Sequence, residues 1–347
     1  MLVTTGGAGT ARADSRFVVG VSSAFQYSTG AKVMQADMGR LTAAGIDHIR
    51  EDIFWDVVQP AAGQWDWRRY DALFEGVAKL RLDVMPIVGY GVSWAYNSTD
   101  THRLPRTDKE RALFTEFAVA VVARYGEGGS FWRERPALAP APVRAIEVWN
   151  EPWFPGLADP ASYARLVRSV ANAAAKIAPA VDIVANLDQR VRATVSGTRR
   201  NWAEALIETD RDLDDVVDVW SIHPYPGDVP PAAAALDSLR QVDADQRLLA
   251  ANKLTGQIWV TELGYLRNPT PAAPGASDLT AAASFRVAVL GLAVRNIGPN
   301  PVRRMYAFTL MRAGEKGVAP GTPAYGYSLI RADGSLTQGL LTLFGPG

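Results

Sequence analysis

Apolar residues fall in short, nearly unbroken runs separated by longer stretches of mixed polarity. The runs cover residues 17–25, 46–53, 82–90, 146–150, 181–187, 216–223, 257–262 and 305–310. Near-continuous apolar runs of this length predict strands buried on both faces. The stretches between them carry helix signals. Thr107-Asp108-Lys109-Glu110 has the form of a capping box, and Leu113, Phe117 and Val121 follow on one face. Asp159-Pro160 reads as N-cap and first helical position, ahead of Tyr163, Leu166, Val167 and Val170, in a helix that stops before Pro179. Ser277 or Asp278 is placed to cap a further helix reaching about residue 297, ended by Gly298-Pro299.

Eight strands alternating with helices predict a parallel sheet with right-handed crossovers, and eight is the number that closes a (β/α)8 TIM barrel. The rival is an open, doubly wound sheet. That fold usually carries a Gly-rich phosphate loop after its first strand, whereas residues 17–25 are followed by Gln26-Tyr27-Ser28. The cluster Gly6-Gly7-Ala8-Gly9 precedes any strand and reads as linker. Residues 1–15 are therefore expected to be a flexible tail and residues 16–347 one (β/α)8 catalytic domain. The excess of about 100 residues over a barrel of about 250 falls to extended βα loops. Three stretches rich in Pro or Gly, 133–142, 268–277 and 313–324, read as irregular.

Composition narrows the function classes. Of 347 residues, 48% are hydrophobic and 21% charged, which suits a globular chain. Thirty-six basic residues balance 36 acidic ones, so the basic excess of a nucleic-acid binder is missing. The absence of cysteine excludes disulfides, thiolate metal sites and a thiol nucleophile. Three histidines, His48, His102 and His223, lie far apart in sequence, so a metal-dependent barrel hydrolase, which needs clustered ligands at strand ends, is disfavoured. No run approaches 18 apolar residues, hence no membrane span is expected. The first 15 residues lack the apolar core of a signal peptide. They read as a tail or as what remains after a signal is removed, and the second reading prefers a secreted over a cytoplasmic protein.

The chemistry sits at strand ends, where a barrel keeps its active site. The fourth run leads into Glu147-Val148-Trp149-Asn150-Glu151-Pro152-Trp153, and the seventh into Thr261-Glu262-Leu263-Gly264-Tyr265. Strands four and seven face each other across a barrel mouth, which opposes Glu151 and Glu262. Two opposed carboxyl groups are what cleavage of a glycosidic bond needs, one to protonate the leaving oxygen and one to attack or to activate water. Trp149, Pro152 and Trp153 are expected to desolvate Glu151 and raise its pKa. Glu147 is expected to line the barrel interior, paired with a basic residue.

Trp149-Asn150-Glu151-Pro152 resembles the acid/base motif of the retaining glycoside hydrolases of clan A, and Thr261-Glu262-Leu263-Gly264 resembles their nucleophile strand. The resemblance extends to Arg50 in His48-Ile49-Arg50-Glu51-Asp52, to the segment from Trp55 through Gln59-Pro60 and Gly63-Gln64-Trp65 to Tyr70-Asp71, and to His223-Pro224-Tyr225. It is nearest in character to family 39, with family 5 a more distant match. It implies Glu151 as general acid and then base, Glu262 as nucleophile of a double displacement, and Asn150 as donor to the sugar 2-hydroxyl. Arg50 would hold Glu262 ionised, and His223 or Tyr225 would orient the nucleophile or bind hydroxyls. It implies no metal and no cofactor.

Aromatic rings stack on the C–H faces of sugars. Tyr90, Trp94, Trp153 and Tyr265 are candidate platforms by their positions at strand ends, while Trp65, Trp67, Trp202 and Trp220 are assigned to packing. Asp52 and Asp56 are candidates to touch hydroxyls, and His48 and His102 are assigned structural places. The chain departs from the clan at the eighth strand, Met305-Tyr306-Ala307-Phe308-Thr309-Leu310, which has no Trp, and Phe308 is the candidate replacement. The expected partner is an oligosaccharide, polysaccharide or glycoside, and zero net charge favours a neutral one. The competing reading is a glycan-binding barrel without turnover.

Overall fold

The structure, a computed structural model, describes residues 16–25, 30–154, 159–188, 190–195, 197–267, 274–311, 318 and 323–344. Among the described residues there are ten strands: β1 (Val18–Ser23), β2 (His48–Phe54), β3 (Asp83–Gly89), β4 (Ala145–Val148), β5 (Asp182–Asn186), β6 (Arg192–Val195), β7 (Thr198–Asn201), β8 (Val219–Ile222), β9 (Gln257–Leu263) and β10 (Val302–Leu310). Eight of them close a barrel in the order β1-β10-β9-β8-β5-β4-β3-β2, with every pairing parallel. The barrel excludes the open doubly wound sheet, and each of its strands lies on one of the eight apolar runs. The antiparallel hairpin β6–β7 stands outside the barrel and was not expected. Its period-2 alternation is present in Val191-Arg192-Ala193-Thr194-Val195, too short and too polar to stand out. Gly197, at φ 78, supplies the left-handed residue of the turn.

Helices flank the strands: α1 (Ala31–Ala43), α2 (Trp55–Val58), α3 (Arg68–Leu80), α4 (Ser93–Tyr96), α5 (Asp108–Tyr125), α6 (Ser130–Glu134), α7 (Pro160–Ala174), α8 (Trp202–Thr209), α9 (Ala234–Ala251), α10 (Pro274–Ala293), α11 (Pro323–Tyr327) and α12 (Gln338–Phe344). Both halves of the capping box form at α5: Thr107 accepts from the Glu110 N–H and Glu110 reaches back to the Thr107 N–H. Asp159 caps α7 through the N–H groups of Ala161 and Ser162, with Pro160 at the first position. The expected cap of α10 is corrected. The helix starts at Pro274, ahead of Asp278, and the Asp278 carboxylate instead receives Arg267 at 2.8 Å and Arg331 at 2.6 Å. Two guanidinium groups outbid backbone N–H groups for a carboxylate. The stretch 133–142 is irregular after α6. Residues 268–273 and most of 313–324, like the tail at 1–15, lie outside the described residues.

The barrel interior is layered. Met85, Ala145, Val184, Val219, Trp259 and Tyr306 form a buried apolar cluster of their own. Side chains two positions apart share a strand face. Stepping two residues on from Ala145, Val184, Val219 and Trp259 reaches Glu147, Asn186, Ser221 and Thr261. All four are buried. An apolar plug therefore supports a polar layer, and the polar layer supports the mouth.

Candidate active site

Arg50 is the hub of the polar layer. Its side chain is 1% exposed and donates to Glu147 Oε2 at 2.6 Å, Glu262 Oε1 at 2.7 Å and Asn150 Oδ1 at 2.7 Å. Burial pulls its pKa down, but the two carboxylates beside it more than offset this and raise it above its ordinary value. Tyr225 donates to the other oxygen of Glu262 at 2.9 Å, so both oxygens of that carboxylate are engaged and its orientation is set. Glu147 is fully buried and paired with Arg50, as its strand position implied.

Glu151 follows β4 in an unusual backbone. Trp149 has φ 68 and Glu151 φ 48, both in the left-handed region, which costs on the order of 1 kcal/mol each for a non-glycine residue. Asn186 at the end of β5 holds the turn: its Oδ1 accepts from the Glu151 N–H at 3.0 Å and its Nδ2 donates to the Trp149 carbonyl at 3.1 Å. Tyr163 of α7 donates to the Val148 carbonyl at 3.0 Å and accepts from the Asn186 N–H at 2.7 Å. Asn186 was not singled out from the sequence, and Tyr163 only as a position on the helical face of α7. An Asn within an apolar run is a signal there, but nothing local says which turn it holds.

His223 lies between the two acids. Its Nδ1 is 3.0 Å from Glu151 Oε1 and 3.8 Å from Glu262 Oε2, and its Nε2 is 3.0 Å from Thr261 Oγ1. One carboxylate oxygen from each of Glu151 and Glu262, together with one His223 nitrogen, lie within 4.8 Å of one another. The three groups are thus within reach of a single cation, a closeness that sequence separation concealed. Arg50 and His223 already occupy the carboxylates as positive or hydrogen-bonding partners. The expectation of a raised Glu151 pKa is corrected. Burial does push it up, but the hydrogen bond and charge of His223, with Arg50 behind, outweigh burial and leave it below the usual carboxylate value. His223 is pushed above its ordinary value because Glu262 and Glu151 together overcome its burial.

The candidate platforms divide. Tyr90 borders the site beside Asn150, with its ring edge-on to Trp149 at 5.1 Å and against His102 at 4.7 Å. Trp94 is half-buried and pinned by a 2.9 Å bond from its Nε1 to the Gln59 carbonyl. Trp153 is only 8% exposed, wedged between Trp202 and His223, and forms a wall behind the histidine. Tyr265 is not brought to the cleft: it is buried edge-on against Phe285 of α10 at 4.9 Å. Phe308 is half-buried at the end of β10 and meets Tyr225 at 5.9 Å and Tyr327 at 5.8 Å. Tyr327, which the sequence reading passed over, completes this aromatic corner. Asp52 stands two residues beyond Arg50 on β2, and burial beside Glu262 and Glu147 pushes its carboxyl up to about 7. Trp65 and Trp67 stack on each other at 5.5 Å, and Trp202 and Trp220 are buried, in keeping with packing. His48 binds Asp47 at 2.6 Å at the start of β2.

No protein-family model matches the chain, and a search of curated proteins finds no significant match. Solved structures do match. A family 39 glycoside hydrolase from the gut symbiont Bacteroides cellulosilyticus aligns over 95% of this chain and 64% of its own, with TM-score 0.64 and 22% identity. The GH39 enzyme from Xanthomonas axonopodis pv. citri aligns over 96% and 66%, with TM-score 0.63 and 18% identity. An exo-β-1,4-mannosidase from an Opitutaceae bacterium aligns over 99% and 62%, with TM-score 0.64 and 16% identity. At these identities the likeness is one of fold, and the chain spans a little under two thirds of the length of each of the three. The sequence resemblance to family 39 thus has a counterpart among structures of the same barrel fold.

Proposed function

We infer that the chain is a retaining O-glycosidase with Glu151 as acid/base and Glu262 as nucleophile. The observation that carries this reading is the closeness of the two acids, whose nearest oxygens lie within 4.8 Å. Retaining enzymes keep their carboxyl groups about 5–5.5 Å apart, whereas inverting ones need about 6.5–9.5 Å to admit a water. Glu262, oriented by Arg50 and Tyr225, attacks the anomeric carbon and forms a glycosyl-enzyme. Glu151 protonates the departing oxygen, then takes a proton from the water that releases the sugar. Asn150, with its carbonyl oxygen held by Arg50, has its amide nitrogen left to donate, and a bond from it to the sugar 2-hydroxyl would tighten in the transition state. No step needs a cofactor. The glycoside hydrolases among the fold neighbours support a carbohydrate substrate.

The test is a panel of aryl glycosides followed by NMR of the product. Release of the aryl group with retention of anomeric configuration is expected. E262Q is expected to lose turnover by a factor on the order of 10⁴ or more while folding normally. Inverted product, or full activity in E262Q, would overturn the mechanism. Saturable glycan binding with no release from any substrate would favour the non-catalytic barrel.

A further inference from the structure

The acids, the histidine and the polar layer form one hydrogen-bonded circuit. From Glu151 it runs through His223 to Thr261 Oγ1, on to Ser221 Oγ at 2.5 Å, to Glu147 Oε1 at 2.7 Å, and through Arg50 to Glu262. The proton directions along it follow from counting. Ser221 and Thr261 bring one hydroxyl hydrogen each. Three oxygen–oxygen contacts draw on these two hydrogens: Ser221 to Thr261, Ser221 to Glu147, and the longer 3.3 Å approach of Thr261 to Glu147. Glu147 accepts at every contact, from Arg50 Nε, Ser221, Asn186 Nδ2 and Thr261, so it supplies no hydrogen. No hydroxyl hydrogen is left for His223 Nε2. Nε2 must therefore donate to Thr261. The remaining nitrogen, Nδ1, faces Glu151 Oε1 at 3.0 Å, and a single proton in that contact joins the two groups.

We propose that in the resting enzyme this proton resides on His223 Nδ1, so that His223 stores the proton Glu151 uses as general acid, with Glu147, Ser221 and Thr261 as positioning residues that keep Nε2 protonated. The proposal rests on the assignment of Glu151 as acid/base. When the acid is called on, the Nδ1–H bond breaks and an O–H bond forms at Oε1. The imidazolium becomes neutral imidazole, and the carboxylate becomes the acid. Deglycosylation returns a proton from water to Glu151, and it passes back to His223, so the cycle balances.

The surroundings favour the stored state. His223 is faced by Glu151 after β4, by Glu262 and Thr261 on β9 and by Asp188 after β5, with Arg50 of β2 opposing. The Trp153 and Tyr225 rings, 6.3 and 6.5 Å away, complete its enclosure and keep it out of water. Three anions against one cation draw the charge onto the ring. The resting acid is thereby kept ionised, contrary to what the tryptophans beside Glu151 predict.

With only three histidines in the chain, ¹⁵N NMR of the histidine-labelled protein reads this without any substrate. His223 is expected to show both nitrogens protonated near neutral pH, with a midpoint above that of a free histidine. Thr261→Val should lower that midpoint by about one pH unit, the scale of one hydrogen bond to a charged group, and Thr261→Ser should restore it. Glu151→Gln, at a partly exposed position, should lower it as well by removing the facing anion. A neutral His223 with bare Nδ1 in the wild type, or a midpoint unmoved in Thr261→Val, would overturn the proposal. Full activity in E262Q would instead overturn the double-displacement mechanism, so the two failures are distinguishable.

Discussion

At the scale of single residues, burial and charge decide what each carboxyl does. Glu151 and Asp52 stand at the same mouth and are pushed in opposite directions. Glu151 has His223 against it and is held ionised, whereas burial and the nearby Glu262 and Glu147 outweigh Arg50 at Asp52 and raise it to about 7. Asp52 thus holds its proton more tightly folded than unfolded. Its contribution favours folding at the acid end and is lost as pH rises through about 7. D52N, which cannot ionise, should match the wild type near pH 4 and gain on it steadily toward pH 8 in thermal melts. Parallel stability curves across that window would refute this account. Glu151, Glu262 and Asn150 were legible in the sequence because each belongs to a short motif at the end of an apolar run, and Arg50 because it is a charged residue within one. Asn186, Ser221 and Thr261 had no role assigned from the sequence, since each is one polar residue within or closing a strand, and the partners of its side chain are 35 to 114 positions away.

At the scale of elements, local chemistry largely wrote the helix starts. The Thr107–Glu110 box and the Asp159-Pro160 cap are interactions among residues no more than three apart, so a sequence carries them whole. T107A should cost about 1 kcal/mol, read as a lower denaturant midpoint with unchanged slope. A shift of less than a few tenths would mean that α5 is held by packing alone. The start of α10 was misread for the opposite reason. Asp278 has the composition of a cap, but Arg331, 53 positions on, takes its carboxylate along with Arg267. Tyr265 was misread because the turn after β9 carries it outward to Phe285, a direction that strand position does not encode.

At the scale of the whole molecule, closure of the barrel brings the motifs together. β1 is the seam, pairing with β10 on one side and β2 on the other. Gly20 sits in it with no room to spare: a Cβ there would lie 2.6 Å from the His48 carbonyl oxygen and 2.9 Å from the Tyr306 ring. G20A should therefore destabilise the fold by about 1–3 kcal/mol, because β1 and β2 must part to admit the methyl group. A melting temperature equal to the wild type's would show that the seam has slack. The apolar runs, their number and their alternation with helices determined the barrel from sequence alone, because burial on two faces and helix periodicity are local patterns. The two acids were named the same way. Only the tertiary structure decided that His223 stands between them, that Glu151 rests below rather than above its ordinary pKa, and that Phe308 finds a partner in Tyr327. Those outcomes depend on which distant side chains a closed barrel holds within hydrogen-bond reach, and sequence order carries no record of such distances.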